Sequence, residues 1–363
     1  MDEYALRRET LRASLREDEA VAVTPGGSFQ YLTGATPIPG ERPCWYLASP
    51  RGDVILVNEI DAASLGRIGT QVPLERYGDA EGAASALGRA RAHLGAVKSL
   101  AVEDAMRADA LLMLQEVLVP RGITLLSAQL GSMRTVKSAS EIDRLRLAAA
   151  QADAGIEAAM NSLAPGVTEF EVATAAHAAC LAAGAQWSSS VQVVFGERTA
   201  WPRERPGARA LAAGEVVMVD VDARHDGYVA GVTRMAVVGR APDGFEAVHG
   251  IVEAAMVGAL RAARPGARAA EVDAAARGVV AEGGYGERFV HRLGHGRGLD
   301  AHEPPWLDEK STAALRPGMV VTVEPGVYLP GEFGVRLAET LVVTPAGAEP
   351  LSRLGRAPRR VDA

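Results

Sequence analysis

The sequence predicts an α/β (α+β) protein of two domains, the second a tandem duplication of one helix–strand unit. Two observations carry that expectation. Short apolar runs alternate with stretches of helical periodicity up to about residue 130, and a set of spaced residues in the remainder occurs twice.

In the first part, residues 4–17 place Leu6, Leu11 and Leu15 near one helical face. Val21-Ala-Val-Thr, Trp45-Tyr-Leu-Ala and Val54-Ile-Leu-Val read as strands, as does Leu100-Ala-Val. Ala84 to Leu94 and Ala105 to Val117 read as helices. A new helix opens after Ser138, which forms a capping box with Glu141. It continues through Ile142, Leu145, Ala149, Ala152, Ile156 and Met160 until Pro165-Gly166. Thr168 and Glu171 form a second capping box, starting a helix that runs to about Gly184.

The repeat follows. Pro165-Gly166 with Glu171-Val172 recurs 100 residues on as Pro265-Gly266 with Glu271-Val272. Ala210-Leu211-x-x-Gly214-x-Val216-Val217-x-Val219-Asp220 recurs 104 residues on as Ala314-Leu315-x-x-Gly318-x-Val320-Val321-x-Val323-Glu324. Each copy reads as a helix, a loop and an apolar strand ending in a carboxylate. Packed around a pseudo-twofold axis, the copies bring Asp220 and Glu324 to face one another. Buried carboxylates must pair, protonate or meet a cation.

Composition narrows the function classes. The 363 residues carry a net charge of −7, which supplies no basic face for nucleic acid or anionic membrane. No apolar run reaches the length of a membrane span. The opening MDEYALRRETLR lacks the apolar stretch of a secretory leader, so a cytoplasmic location is expected. Cys44 and Cys180 match no metal spacing and read as buried free thiols.

Around the paired acids lie His291-Arg-Leu-Gly-His295-Gly-Arg-Gly-Leu-Asp-Ala-His302, then Glu324-Pro-Gly-Val-Tyr, then Gly334-Val-Arg336-Leu-Ala338-Glu339-Thr. Three of the chain's seven histidines fall in the first segment, among glycines that permit close backbone approach.

These segments resemble the pita-bread family of Xaa-Pro aminopeptidases, prolidases, methionine aminopeptidases and the metal-free creatinase. Gln30-Tyr31-Leu32-Thr33-Gly34 resembles a string of its creatinase-type N-terminal domain, and Met133 to Glu141 resembles the entry to its catalytic domain. The resemblance implies a creatinase-like domain over 1–132, a duplicated pita-bread domain over 133–363, and a homodimer acting on a small-molecule substrate. It also implies a two-metal site of two aspartates, one histidine and two glutamates. Asp220, His295 and Glu324 match three of these. The second aspartate belongs eleven residues after the first, where Gly231 stands, and the last glutamate belongs where Ala338 stands. Glu339 is adjacent but on a strand points to the other face. Asp222, Asp226 and Glu339 remain open as stand-ins.

Both missing positions bridge the two metals in the family's arrangement, and a two-metal hydrolase needs its ions held close. The expectation is therefore an enzyme with no cofactor, acting on a C–N bond of an amino-acid-like substrate. His295 is its leading acid/base, Glu324 and Asp220 orient it, and His302 is the second pocket histidine. Neighbouring carboxylates are expected to raise at least one carboxyl pKa and to favour the His295 imidazolium. Arg203, standing where many relatives carry a substrate-facing histidine, and Arg336 are expected to hold a substrate carboxylate. Tyr228 and His291 complete the pocket. A catalytically inactive binding protein and a one-metal Xaa-Pro peptidase on Asp220, His295 and Glu324 are the alternatives.

Overall fold

In a computed structural model describing residues 2–68, 71–186 and 190–363, the chain divides into two units, Met1–Arg134 and Thr135–Ala363. The first is a six-stranded sheet of β1 (Glu19–Val23), β2 (Trp45–Ser49), β3 (Gly52–Asn58), β4 (Leu74–Tyr77), β5 (Ser99–Val102) and β6 (Gly122–Leu125). The spatial order is β4-β3-β2-β1-β5-β6. Its helices are α1 (Glu3–Ser14), α2 (Gly27–Thr33), α3 (Glu59–Ile68), α4 (Ala83–Leu94) and α5 (Ala108–Leu118), and α6 (Ser127–Thr135) leads to the division between the units. The helix expected over 4–17 stops at Ser14, and the one expected from Ala105 starts at Ala108. Helix α2 was not predicted. It ends at Gly34, where φ is 72° and an added Cβ would lie 2.8 Å from the Tyr4 ring, so the glycine of the QYLTG string is fixed by geometry and space.

The second unit repeats one pattern twice: two helices, then antiparallel strands. The first copy is α7 (Ala139–Asn161), α8 (Glu169–Ala182), β7 (Ser190–Phe195), β8 (Val216–His225) and β9 (Tyr228–Val238). The second is α9 (Phe245–Ala262), α10 (Ala269–Glu282), β10 (Gly294–Gly296), β11 (Glu303–Leu307), β12 (Val320–Val323), the small hairpin β13 (Gly326–Leu329) and β14 (Phe333–Arg336), and β15 (Ala338–Thr344). Then β16 (Gly347–Pro350) and β17 (Arg359–Val361) close the chain. The main sheet runs β11-β10-β12-β15-β9-β8-β7, with β16 on β15 and β17 on β9.

Local chemistry sets the repeat. The capping boxes at Ser138/Glu141 and Thr168/Glu171 are both formed. At the matching place in the second copy, the Glu271 carboxylate accepts the Arg268 backbone N–H. The bridges Thr168–Ala210 and Arg268–Ala314 are also equivalent. Ala210 and Ala314, expected to be helical, thus sit in extended bridges that tie each helix start to the chain before its strand.

Strand alternation then decides which side chains face inward. Val217, Val219, Val221 and Ala223 pack with α7 and α8, and Val321, Val323, Leu341 and Val343 with α9 and α10. Asp220 and Asp222 therefore point to the opposite face of β8, away from α7 and α8. Asp220 lies in the middle of β8, not at a strand end as expected, because the strand continues to His225. Among the described residues no helix is long and apolar enough to cross a membrane.

Candidate active site

The hairpin of β8 and β9 builds one wall. Its register sets Asp220 opposite Thr233 and Asp222 opposite Gly231. Position 231 has no room for a side chain: a Cβ there would lie 1.8 Å from Asp222 Oδ1 and 3.2 Å from Arg297 Nη2. The Asp222 carboxylate fills the space that a side chain at 231 would take.

Arg297 is the partner that holds it there. Its Nη1 lies 2.8 Å from Asp222 Oδ1, and its Nε donates to Thr322 Oγ1 at 2.7 Å. Arg297 is 6 % exposed. It occupies the variable place of the Gly-His-Gly-x-Gly string, brought in by β10. The string is glycine-rich for want of space: a Cβ at Gly294 would lie 1.8 Å from the Thr322 carbonyl oxygen, and one at Gly296 2.2 Å from that of Pro304.

A second guanidinium meets the second acid. Arg336 Nη2 donates to Asp220 Oδ2 at 2.6 Å and to Gln192 Oε1 at 2.9 Å, and Nη1 donates to the Pro202 carbonyl. Thr233 Oγ1 donates to the other Asp220 oxygen at 3.1 Å. Arg336, expected to bind a substrate carboxylate, is thus already committed to a carboxylate of the protein. The physical reason is burial: with Arg336 only 6 % exposed, an ion pair must satisfy its charge.

His295 and Glu324 come together from β10 and the end of β12. His295 Nε2 faces Glu324 Oε1 at 3.6 Å, and its ring centroid lies 4.1 Å from that of His302. Its Nδ1 is 3.0 Å from the Gly296 carbonyl, which can only accept, so Nδ1 carries the proton and Nε2 presents a lone pair. The expectation of a favoured His295 imidazolium is overturned. Burial and the Arg297 charge push its pKa down to about 3. The nearby carboxylates do not compensate, because two of the three face guanidinium groups.

Burial pushes Glu324 up to about 7, outweighing the opposing pull of Arg336 and Arg297. Burial likewise raises Asp220 against the pull of Arg336. Burial acts the same way on Asp222, but Arg297 wins and holds that carboxyl below its ordinary value. The expected raising of at least one carboxyl is therefore found, at Glu324 and Asp220.

The other named residues divide. His302 is exposed, beside His295, and burial together with Arg297 lowers its pKa. His291 bonds through Nε2 to the Tyr328 hydroxyl at 2.8 Å, and burial lowers its pKa to about 4. Tyr228 is not available to substrate: its buried hydroxyl donates to Glu141 Oε1 at 2.9 Å. Arg203 is exposed, and its charge is felt at His302. Glu339 points away, as strand geometry requires, to Arg234 Nη2 at 2.7 Å. Asp226 pairs with Arg144. Of the three candidate stand-ins, only Asp222 enters the site. Cys44 and Cys180 are buried free thiols.

These residues do not fit a metal pair. Gly231 and Ala338 offer no donor, and the two aspartates face guanidinium groups. Among the described residues no cluster of three or more His, Cys, Asp or Glu is gathered to ligate an ion. Arg297, Gln192 and Thr322 were not foreseen as parts of the site, and Asp222 was only one of three candidate stand-ins. The period of two along β8 was the available signal for Asp222, and a charged residue inside a glycine string was the signal for Arg297.

Comparison with known proteins bears on the same segments. Residues 143–345 match the model of metallopeptidase family M24, and residues 7–147 that of the creatinase/prolidase N-terminal domain. An Xaa-Pro dipeptidase of Pyrococcus horikoshii is 29 % identical over 339 residues, spanning 93 % of each chain. An uncharacterized peptidase of Staphylococcus aureus is 37 % identical over 221 residues, covering 61 % of this chain and 63 % of its own. Among solved structures, a prolidase from Thermococcus sibiricus superposes with a TM-score of 0.93 at 27 % identity, covering 99 % of this chain and 100 % of that one. Dipeptidase PepE from Mycobacterium ulcerans gives 0.89 at 31 %, covering 99 % and 98 %.

Proposed function

This chain belongs to metallopeptidase family M24, and on that premise we propose that it cleaves a C–N bond of a small amino-acid-like substrate by acid–base catalysis without a metal pair. The observation that carries the reading is the 3.6 Å approach of a neutral His295 Nε2 to Glu324 Oε1. One group has a free lone pair and the other holds a proton near neutral pH, which is the division of labour that hydrolysis needs.

In this reading a water gives its proton to His295 Nε2 as its oxygen adds to the substrate's acyl carbon. The tetrahedral adduct collapses, the C–N bond breaks, and the nitrogen leaves with the proton of Glu324. Proton transfer from the His295 imidazolium to the Glu324 carboxylate then restores both groups. Arg297 keeps Asp222 from competing for the proton. Arg203 takes the substrate carboxylate in place of Arg336, since Arg203 is exposed and its charge acts on His302. Arg is suited to that task by its planar fork of donors.

The test is turnover of a panel of Xaa-Pro dipeptides and N-acyl or N-amidino amino acids by protein purified without added metal. Turnover is expected to survive chelator unchanged and to fall at least 10²-fold in His295→Ala. Turnover lost on chelation and restored by manganese would favour a one-metal peptidase. Tight binding without product anywhere in the panel would favour an inactive binding protein.

A further inference from the structure

We infer that Arg297 is a built-in counter-cation that keeps Asp222, Glu324 and His295 from gathering around a divalent ion. This rests on the metal-free reading above and adds the residue responsible for it. The first support is a cross-strand exchange. Asp222 and Gly231 are opposite one another on β8 and β9, and the carboxylate of one fills the side-chain space of the other. The inward face has therefore kept a second aspartate while moving its point of attachment by one strand.

The second support is how Arg297 is held. Thr322 takes its Nε–H, which fixes the guanidinium with Nη1 2.8 Å from Asp222 Oδ1. The charges of Asp220 and Glu324 also act on it. A carboxylate in this position requires a positive partner, and either a side chain or an ion can supply it. While the guanidinium is present, a divalent ion meets both its bulk and its like charge. With the guanidinium removed, the inward face offers carboxylate oxygens from Asp222 and Glu324 and the lone pair of His295 Nε2, while Asp220 stays with Arg336. Such a mixed nitrogen–oxygen set suits manganese, cobalt or zinc.

The inference is tested by calorimetric titration of MnCl2 and CoCl2 into wild type, Arg297→Ala, Arg297→Gln and Arg297→Lys, each also melted with and without metal. Wild type and R297K are expected to take up no ion and to melt at an unchanged temperature. R297A and R297Q are expected to bind one ion per chain at least tenfold more tightly than wild type, with a melting point that rises as MnCl2 is added. Adding Asp222→Asn to R297A is expected to abolish the uptake. Folded R297A and R297Q that bind nothing, beside a silent wild type, would overturn the role of Arg297 and leave the metal-free reading intact. Uptake by R297K equal to that of R297A would overturn it as well. Stoichiometric uptake by the wild type would instead remove the metal-free reading and the inference with it.

Discussion

Restoring an aspartate at position 231 by itself is expected to damage this protein. In Gly231→Asp the new Cβ meets Asp222 Oδ1 at 1.8 Å, closer than any real contact, so the Asp222 carboxylate must leave its place beside Arg297. Overpacking of this kind costs about 1–3 kcal/mol. Disrupting a buried ion pair adds to that, although Asp222 is 22 % exposed at its side chain, so the roughly 3–5 kcal/mol of a fully buried pair is an upper limit. A loss of about 3 kcal/mol is therefore expected. Asp222→Gly alone strands Arg297 without its carboxylate and is expected to lose about 2 kcal/mol. The double variant puts a carboxylate back within reach of Arg297, since the Cβ of position 231 lies 3.2 Å from Nη2, and removes the clash. It is expected within about 1 kcal/mol of wild type, which requires a coupling of about 4–5 kcal/mol, above the range usual for residues in contact. Urea unfolding of the four proteins with one shared m-value measures this. Additive losses, or a G231D protein as stable as wild type, would refute the claim that one carboxylate occupies the other's space.

Other expectations follow from the same geometry. If Glu324 acts as the acid with a pKa near 7, the rate falls as pH rises through that value, because the group loses the proton it must give. Glu324→Gln should lower kcat by about 10²–10⁴-fold and erase that alkaline limb; an unchanged profile excludes Glu324 as the acid. The same raised pKa has a stability consequence. The folded state favours the protonated carboxyl, so this contribution is full below the ordinary value of 4.5, declines as pH rises, and is lost through about 7. In E324Q the fall in melting temperature between those limits should be smaller than in wild type. Arg203→Ala should raise KM for carboxylate-bearing substrates about tenfold with kcat nearly unchanged, the loss of one hydrogen bond to a charged group. A fall in kcat alone would place Arg203 elsewhere in the reaction.

The duplicated unit was legible because it is written in local chemistry. Capping boxes, Pro-Gly stops and apolar strands declare themselves over a few residues, and their recurrence makes chance agreement hard to sustain. Helix α2 was not legible, since a seven-residue helix carries too little periodicity to be seen. The mid-strand position of Asp220 was missed because a carboxylate after an apolar run reads as an end, whereas here the next inward position also carries an acid. At the site, His295 and Glu324 could be placed from their strings alone. Their protonation could not, because it depends first on burial and then on charges such as Arg297, whose partner lies 75 residues away in sequence yet 2.8 Å away in space. The commitments of Arg336 to Asp220 and of Tyr228 to Glu141 are of the same kind, set by long-range packing.

The guanidinium of Arg297 also differs from a bound ion in how it is supplied. A metal must be acquired after synthesis, and its occupancy follows the free concentration in the surroundings. A charge on a covalently attached side chain is present in every copy as soon as the chain folds. It does not wash out on dilution, does not change oxidation state, and keeps its proton across the whole range in which the protein is folded. The electrostatic balance around Asp222 is therefore inherited with the gene and independent of nutrition.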